Sequence, residues 1–127
     1  MAISIIIFST LLLLFVEAHP DEFNNFEKYE AECYKEIHVG KELVEALLHN
    51  DVFNEDKNLK CFLSCLYIKS KVMNADGQVN IEELKKILLP LAHDKNKMTT
   101  LIEKCAKIKE ADNCETSFKI TKCLKTD

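Results

Sequence analysis

The chain contains no arginine, so all 17 of its basic side chains are lysines, and the formal net charge is −4. Proteins that grip nucleic acid rely on basic stripes and on arginine for bidentate contact with phosphate. A nucleic-acid role is excluded on that ground. Glycine and proline are nearly absent too: Gly40, Gly77, Pro20 and Pro90 are all there is in 127 residues. An all-β fold with many tight turns needs more of both. No Asn-x-Ser/Thr sequon occurs, so N-glycosylation is not expected. The four histidines are scattered without a His-Glu-x-x-His pair. Ser64, Ser70 and Ser117 lie outside any nucleophile-elbow context. With the carboxylates mostly on outward faces, the sequence gives no catalytic constellation and reads as a non-enzyme.

The first thing present is a leader. Residues from Ile3 to Val16 are almost wholly apolar. The run is too short for a spanning helix, which needs about 20 apolar residues. It fits a secretory h-region, with a small-residue cleavage signal at Val16-Glu17-Ala18. The expected organisation is a signal peptide over residues 1–18 and a single secreted domain over 19–127. No integral membrane segment is expected after cleavage. Glu17 leaves with the leader, and the mature charge becomes −3.

Helical periodicity fills the remainder. Phe23, Phe26, Glu30, Cys33 and Ile37 recur by three and four over a helix of about 21–38, which Gly40 breaks. A short second helix over 41–49 follows, with Leu43, Val44, Leu47 and Leu48 on one side. The third, about 56–71, is apolar nearly all round and belongs in the middle of a bundle. Asn80 is an expected N-cap for a fourth helix carrying Leu84, Ile87, Leu88 and Leu91, bent or ended at Pro90. The fifth spans about 94–111, and Asp112-Asn113 opens the sixth. The fold class is all-α, with about six helices. His38 and His49 are placed at helix ends, where a dipole favours cations.

Six cysteines lie at Cys33, Cys61, Cys65, Cys105, Cys114 and Cys123, with gaps of C-x27-C-x3-C-x39-C-x8-C-x8-C. An even count behind a leader implies disulfides formed in an oxidising compartment. Zinc is disfavoured because no C-x2-C pair occurs. Of the 15 pairings, those joining Cys61 to Cys65 or Cys114 to Cys123 fail on helical distances, which leaves ten.

These five gaps together resemble the insect odorant-binding proteins, in particular the six-cysteine pheromone and general odorant-binding family. The resemblance spans nearly all of the mature chain. It implies three interlocked disulfides, Cys33–Cys65, Cys61–Cys114 and Cys105–Cys123, around an apolar cavity. It also implies a secreted carrier of small hydrophobic ligands, odorants or pheromones, with no cofactor and no metal. An olfactory receptor or a second copy of the chain would be the protein partner. Helical phase nominates Phe62 and Leu66, Leu84 and Leu88, Met98 and Ile102, and Phe118 and Leu124 as ligand-binding residues. Two other readings stand beside this one. The first is a non-olfactory carrier of lipids, hormones or pheromones in haemolymph or gland secretion. The second is a disulfide-stapled membrane-active protein or toxin, disfavoured by the acidic charge.

Residues 72–83 have the outline of a calcium loop, but Val72 would stand at the first ligand position and cannot coordinate a hard cation. The expected structure there is a polar turn before a capped helix.

Overall fold

The computed structural model describes the backbone of residues 20–126 and the side chains of 25–126. The expected signal peptide, residues 1–18, lies outside them. Six α-helices follow in order: α1 Pro20–Glu36, α2 Lys41–Asn50, α3 Lys57–Lys69, α4 Ile81–Leu88, α5 Lys95–Cys105 and α6 Asn113–Thr126. A single 3-10 turn, Leu89–Leu91, extends α4. Among the described residues there is no strand, only one antiparallel bridge between Met73 and Val79. No described helix is long and apolar enough to cross a membrane.

Four helices begin in the same way. Asp56, Asn80, Asp94 and Asp112 each accept a hydrogen bond from the backbone N–H three residues on, at Leu59, Glu83, Lys97 and Glu115. These side chains satisfy donors that a helix start leaves open. Helix α3 ends in a Schellman motif: Val72 N–H reaches the Tyr67 carbonyl and Lys71 N–H the Ile68 carbonyl. Lys71 occupies the left-handed position at φ 65°.

Helix α3 packs on α1 and on α6, while α4, the 3-10 turn and α5 form a second group that joins α6 through α5. The α3–α6 seam is the centre of the molecule. Lys60 reaches Glu115, Cys61 is bonded to Cys114, and the Tyr67 hydroxyl hydrogen-bonds Thr121 Oγ1 at 2.6 Å. Residue numbers rise together on both sides, so the two helices run parallel. Cys33–Cys65 ties α1 to α3, and Cys105–Cys123 ties α5 to α6.

Several expectations are corrected. Helix α1 stops at Glu36 rather than His38, and His38 lies in the irregular stretch after it with its carbonyl taken by Asn58 Nδ2. Phe26 is 42% exposed and stays outside the core groups of the described residues. Leu91, expected in the fourth helix, falls in the 3-10 turn and is 77% exposed. Pro90 forces the tighter 3-10 winding, which moves side chains off the α-helical stripe. Helix α5 ends at Cys105 and not near residue 111. Its last carbonyls are taken in three-residue turns by Lys107 and Ile108, and Glu110 N–H turns instead to Thr116 Oγ1 of α6.

The α3–α6 seam sets two expected measurements. The Cys61–Cys114 bond spans 53 residues, and a loop of that size is worth about 4 kcal/mol through the unfolded state. A Cys61→Ser/Cys114→Ser double variant should lose stability of that order in urea unfolding. A loss below about 1 kcal/mol would show that the seam holds without its bond. The second measurement is a phenolate absorbance titration. Burial pushes the Tyr67 phenol up to about 12, against a smaller downward pull from its Thr121 hydrogen bond. The folded state therefore prefers the neutral phenol. Its contribution is complete below the ordinary tyrosine value of about 10 and is lost as pH rises through about 12. Tyr67→Phe should remove the step at about 12.

Candidate functional site

The helices enclose apolar side chains in separate groups, and the eight nominated residues divide between two of them. Phe62, Leu66 and Phe118 belong to a core between α1, α2, α3 and α6 that also holds Val44, Leu47 and Leu59. Tyr29, Tyr34, Leu43, Leu48 and Phe53 are half-covered side chains around it. Phe62 stacks at a tilt on Tyr34 with ring centroids 4.6 Å apart, and Phe118 meets Phe53 edge-on at 5.8 Å. Lys60, only 8% exposed, runs its stem along this core and sets its ammonium 5.0 Å from the Phe118 ring centroid. The ammonium emerges to meet Glu115 at 2.6 Å and Glu55 at 2.5 Å. The hydrogen bonds that Lys60 donates to Glu115 and then to Glu55 hold the lysine above its ordinary value, and Lys60 in turn lowers the Glu55 carboxyl.

Leu84, Leu88, Met98, Ile102 and Leu124 meet in a different place. They lie in the seam between α4, α5 and the end of α6, together with Val72 and Tyr67. Only Val72, Leu84 and Ile102 are fully buried there, and Leu88, Leu89, Met98 and Leu124 are half-covered apolar side chains around them. A third small group, Met73, Cys105 and Ile120, continues this seam through Tyr67, Val79 and Leu124. The pattern of stripes along single helices identified inward residues. It did not say which inter-helix seam each one enters.

Among the described residues the surface carries open grooves, and none of the eight residues lines the two described next. The first, of about 460 Å³, lies at the end of α3 and is lined by Ile68, Lys71, Met73, Asn74, Gln78, Val79 and Asn80. The second, of about 500 Å³, lies between α1 and α2 and is bordered by Glu27, Glu30, Tyr34, Lys41 and Glu45. Lys41 sits over the Tyr34 ring, 5.7 Å from its centroid. Burial first, then Glu30, Glu45 and Glu42, push the Tyr34 phenol up.

The stretch with the outline of a calcium loop is a compact turn. Asn74 Oδ1 accepts the N–H groups of Asp76 and Gln78, so that oxygen is already engaged. Gly77 takes φ 82°, and a Cβ there would run into Lys109 and Asn113. Those two side chains clip the turn to the start of α6 by donating to the carbonyls of Asp76 and Ala75. Among the described residues, the side chains that bring metal-ligand atoms together are Cys33, Glu36 and Cys65. Both of those sulfurs are committed to a disulfide. Every buried side-chain nitrogen or oxygen among the described residues has a hydrogen-bond partner.

This architecture has clear relatives. Over 120 residues the sequence is 25% identical to the B1 protein of Tenebrio molitor, covering 94% of this chain and 91% of that one. It is 23% identical to general odorant-binding protein 69a of Drosophila melanogaster, over 85% of this chain and 72% of the relative. Among solved structures, the Locusta migratoria odorant-binding protein lmigOBP1 shares the fold with a TM-score of 0.71 at 20% identity, over 81% of this chain and 78% of that one. The fatty acid binding protein OBP56a from the oral disk of the blowfly Phormia regina superposes with a TM-score of 0.67 at 29% identity. That match covers 84% of this chain and 90% of the blowfly protein. The PBP/GOBP family pattern matches residues 17–127, from just before the first described helix through all six cysteines. With its six helices and three disulfides, this chain is a member of the PBP/GOBP family.

Proposed function

We propose that the protein is a secreted carrier that binds a small hydrophobic molecule in the seam between α4, α5 and α6. The observation that supports this reading is how few residues of this seam are buried, three against eight in the core around Phe62 and Phe118. The core around Phe62 and Phe118 is filled with ring-on-ring contacts. The α4–α5–α6 seam instead carries half-covered leucines and Met98 around three buried residues. Methionine adapts to irregular space, and pockets between helices are where apolar ligands enter bundles. Binding there would be driven by apolar area leaving water, at about 25 cal/mol per Å² before the entropic costs of association. Leu84, Leu88, Met98, Ile102 and Leu124 form the proposed seat. Phe62, Leu66 and Phe118 belong to the other core.

Odorants, pheromones and fatty acids all fit this chemistry. The blowfly relative is a fatty acid binder and the locust and fly relatives are odorant-binding proteins. The net negative charge favours a carrier over a membrane-active protein. A leader, as expected for residues 1–18, would deliver the chain to the oxidising space in which its three bonds form.

Displacement of an apolar fluorescent probe by a panel of alcohols, esters, aldehydes and fatty acids tests the function, and two variants test the seat. Met98→Ala should weaken ligand binding by about fivefold or more, with a small change in unfolding temperature. Phe118→Ala should cost about 3–5 kcal/mol of stability while the folded fraction keeps its affinity. The opposite pattern would move the seat into the core around Phe118.

A further inference from the structure

The groove at the end of α3 is a second place where a ligand can be held, and its hydrogen-bond pattern gives it a sign. Three of its lining residues are amides, and their oxygens are all occupied. Asn74 Oδ1 accepts from the N–H groups of Asp76 and Gln78 at 3.0 and 2.9 Å. Asn74 Nδ2 donates to Gln78 Oε1 at 3.0 Å, and Asn80 Oδ1 accepts from Glu83 N–H at 3.2 Å as the cap of α4. What the lining retains is donors. Gln78 Nε2, Asn80 Nδ2 and the Lys71 ammonium have no acceptor among the described residues. Lys71 is also the groove's single charged lining residue. The remaining wall is apolar, with Ile68 exposed, Val79 half-covered and Met73 beneath them.

Lys71 stands where a helix most often places glycine. It takes the left-handed position of the Schellman motif at φ 65°, a conformation that disfavours side chains with a Cβ. The backbone requirement alone would select glycine, whereas lysine adds a cation to a lining of unused donors. One lysine and two neutral amides suit a monoanion. A phosphate dianion would call for more positive charge and for a bidentate partner. The volume, about 460 Å³, falls within the roughly 300–1,000 Å³ of small-molecule sites.

We propose that this groove binds the carboxylate of an alkyl carboxylic acid, held by Lys71, Gln78 and Asn80 with its chain along Ile68 and Val79. The groove shares none of Leu84, Leu88, Met98, Ile102 or Leu124 with the α4–α5–α6 seam, and the two meet only through Val79 and Met73.

Two-dimensional NMR of the labelled, oxidised protein reads the side-chain amide signals of Gln78 and Asn80 directly. Titration with octanoate should move both signals saturably, and 1-octanol should leave them in place. Acetate, which has the head without the chain, should bind about tenfold more weakly. Lys71→Met, at an exposed position, should weaken the octanoate response by about fivefold, and Lys71→Arg should restore it. Met98→Ala should leave it unchanged, even if ligand binding in the seam is lost. The proposal is overturned if octanol moves the two signals as octanoate does, if Lys71→Met binds octanoate like the parent, or if Met98→Ala abolishes the response. Equal binding of acetate and octanoate would remove the apolar half of the site and overturn it equally.

Discussion

The parallel contact between α3 and α6 is the constraint on which the rest of the structure depends. Two helices that run the same way cannot be joined by a short turn. The chain must travel the length of the seam before it can begin the second helix. Residues 70–112 are that return path, and everything distinctive about the molecule's apolar seam is built on it. The path is pinned near its start, where Asn113 and Lys109 hold the turn at Ala75 and Asp76. It is pinned again where Cys105 meets Cys123. Between those points α4 and the 3-10 turn rest on α5. The half-covered seam lies beneath this part of the return path.

Much of this architecture could be read from the residues. Scarce glycine and proline, stripes at three and four, and Asn80 three residues before Glu83 were enough for an all-α domain and for the start of α4. The apolar wrap of α3 correctly signalled a central helix. The pairing of the cysteines could not be reached that way. Spacing left ten arrangements, and the interlocked one was implied only through resemblance. The helical patterns on α1 and α4 took in Phe26 and Leu91, which are exposed. Periodicity records which face a side chain would occupy in an ideal helix, not whether a neighbour is there to cover it or whether a proline changes the winding.

Two features had weaker signals or none. Lys60 sits in an apolar helix and reads as an exception, but its stem packs with the core while its ammonium leaves between Glu55 and Glu115. Long cations cover apolar surface in this way, and the two acidic partners come from a loop and from the other end of the chain. The division of the eight nominated residues between two groups was equally hidden. Helical phase distinguishes inside from outside, and the choice between two interiors is made by tertiary packing.

The order of the three bonds along the chain has a consequence beyond stability. Cys33 pairs past Cys61, and Cys61 pairs past Cys105. The loops therefore overlap like links, and no stretch between Cys33 and Cys123 lies outside all of them. A protease that cuts the backbone once anywhere in that interval produces a nick and not two fragments. Both halves stay covalently attached and in register, so the helices can remain packed around whatever they hold. In a fluid that contains digestive or defensive proteases, such a molecule would fail only after a second cut or after reduction. Its working lifetime would then be set by the redox state of its surroundings more than by the first proteolytic event.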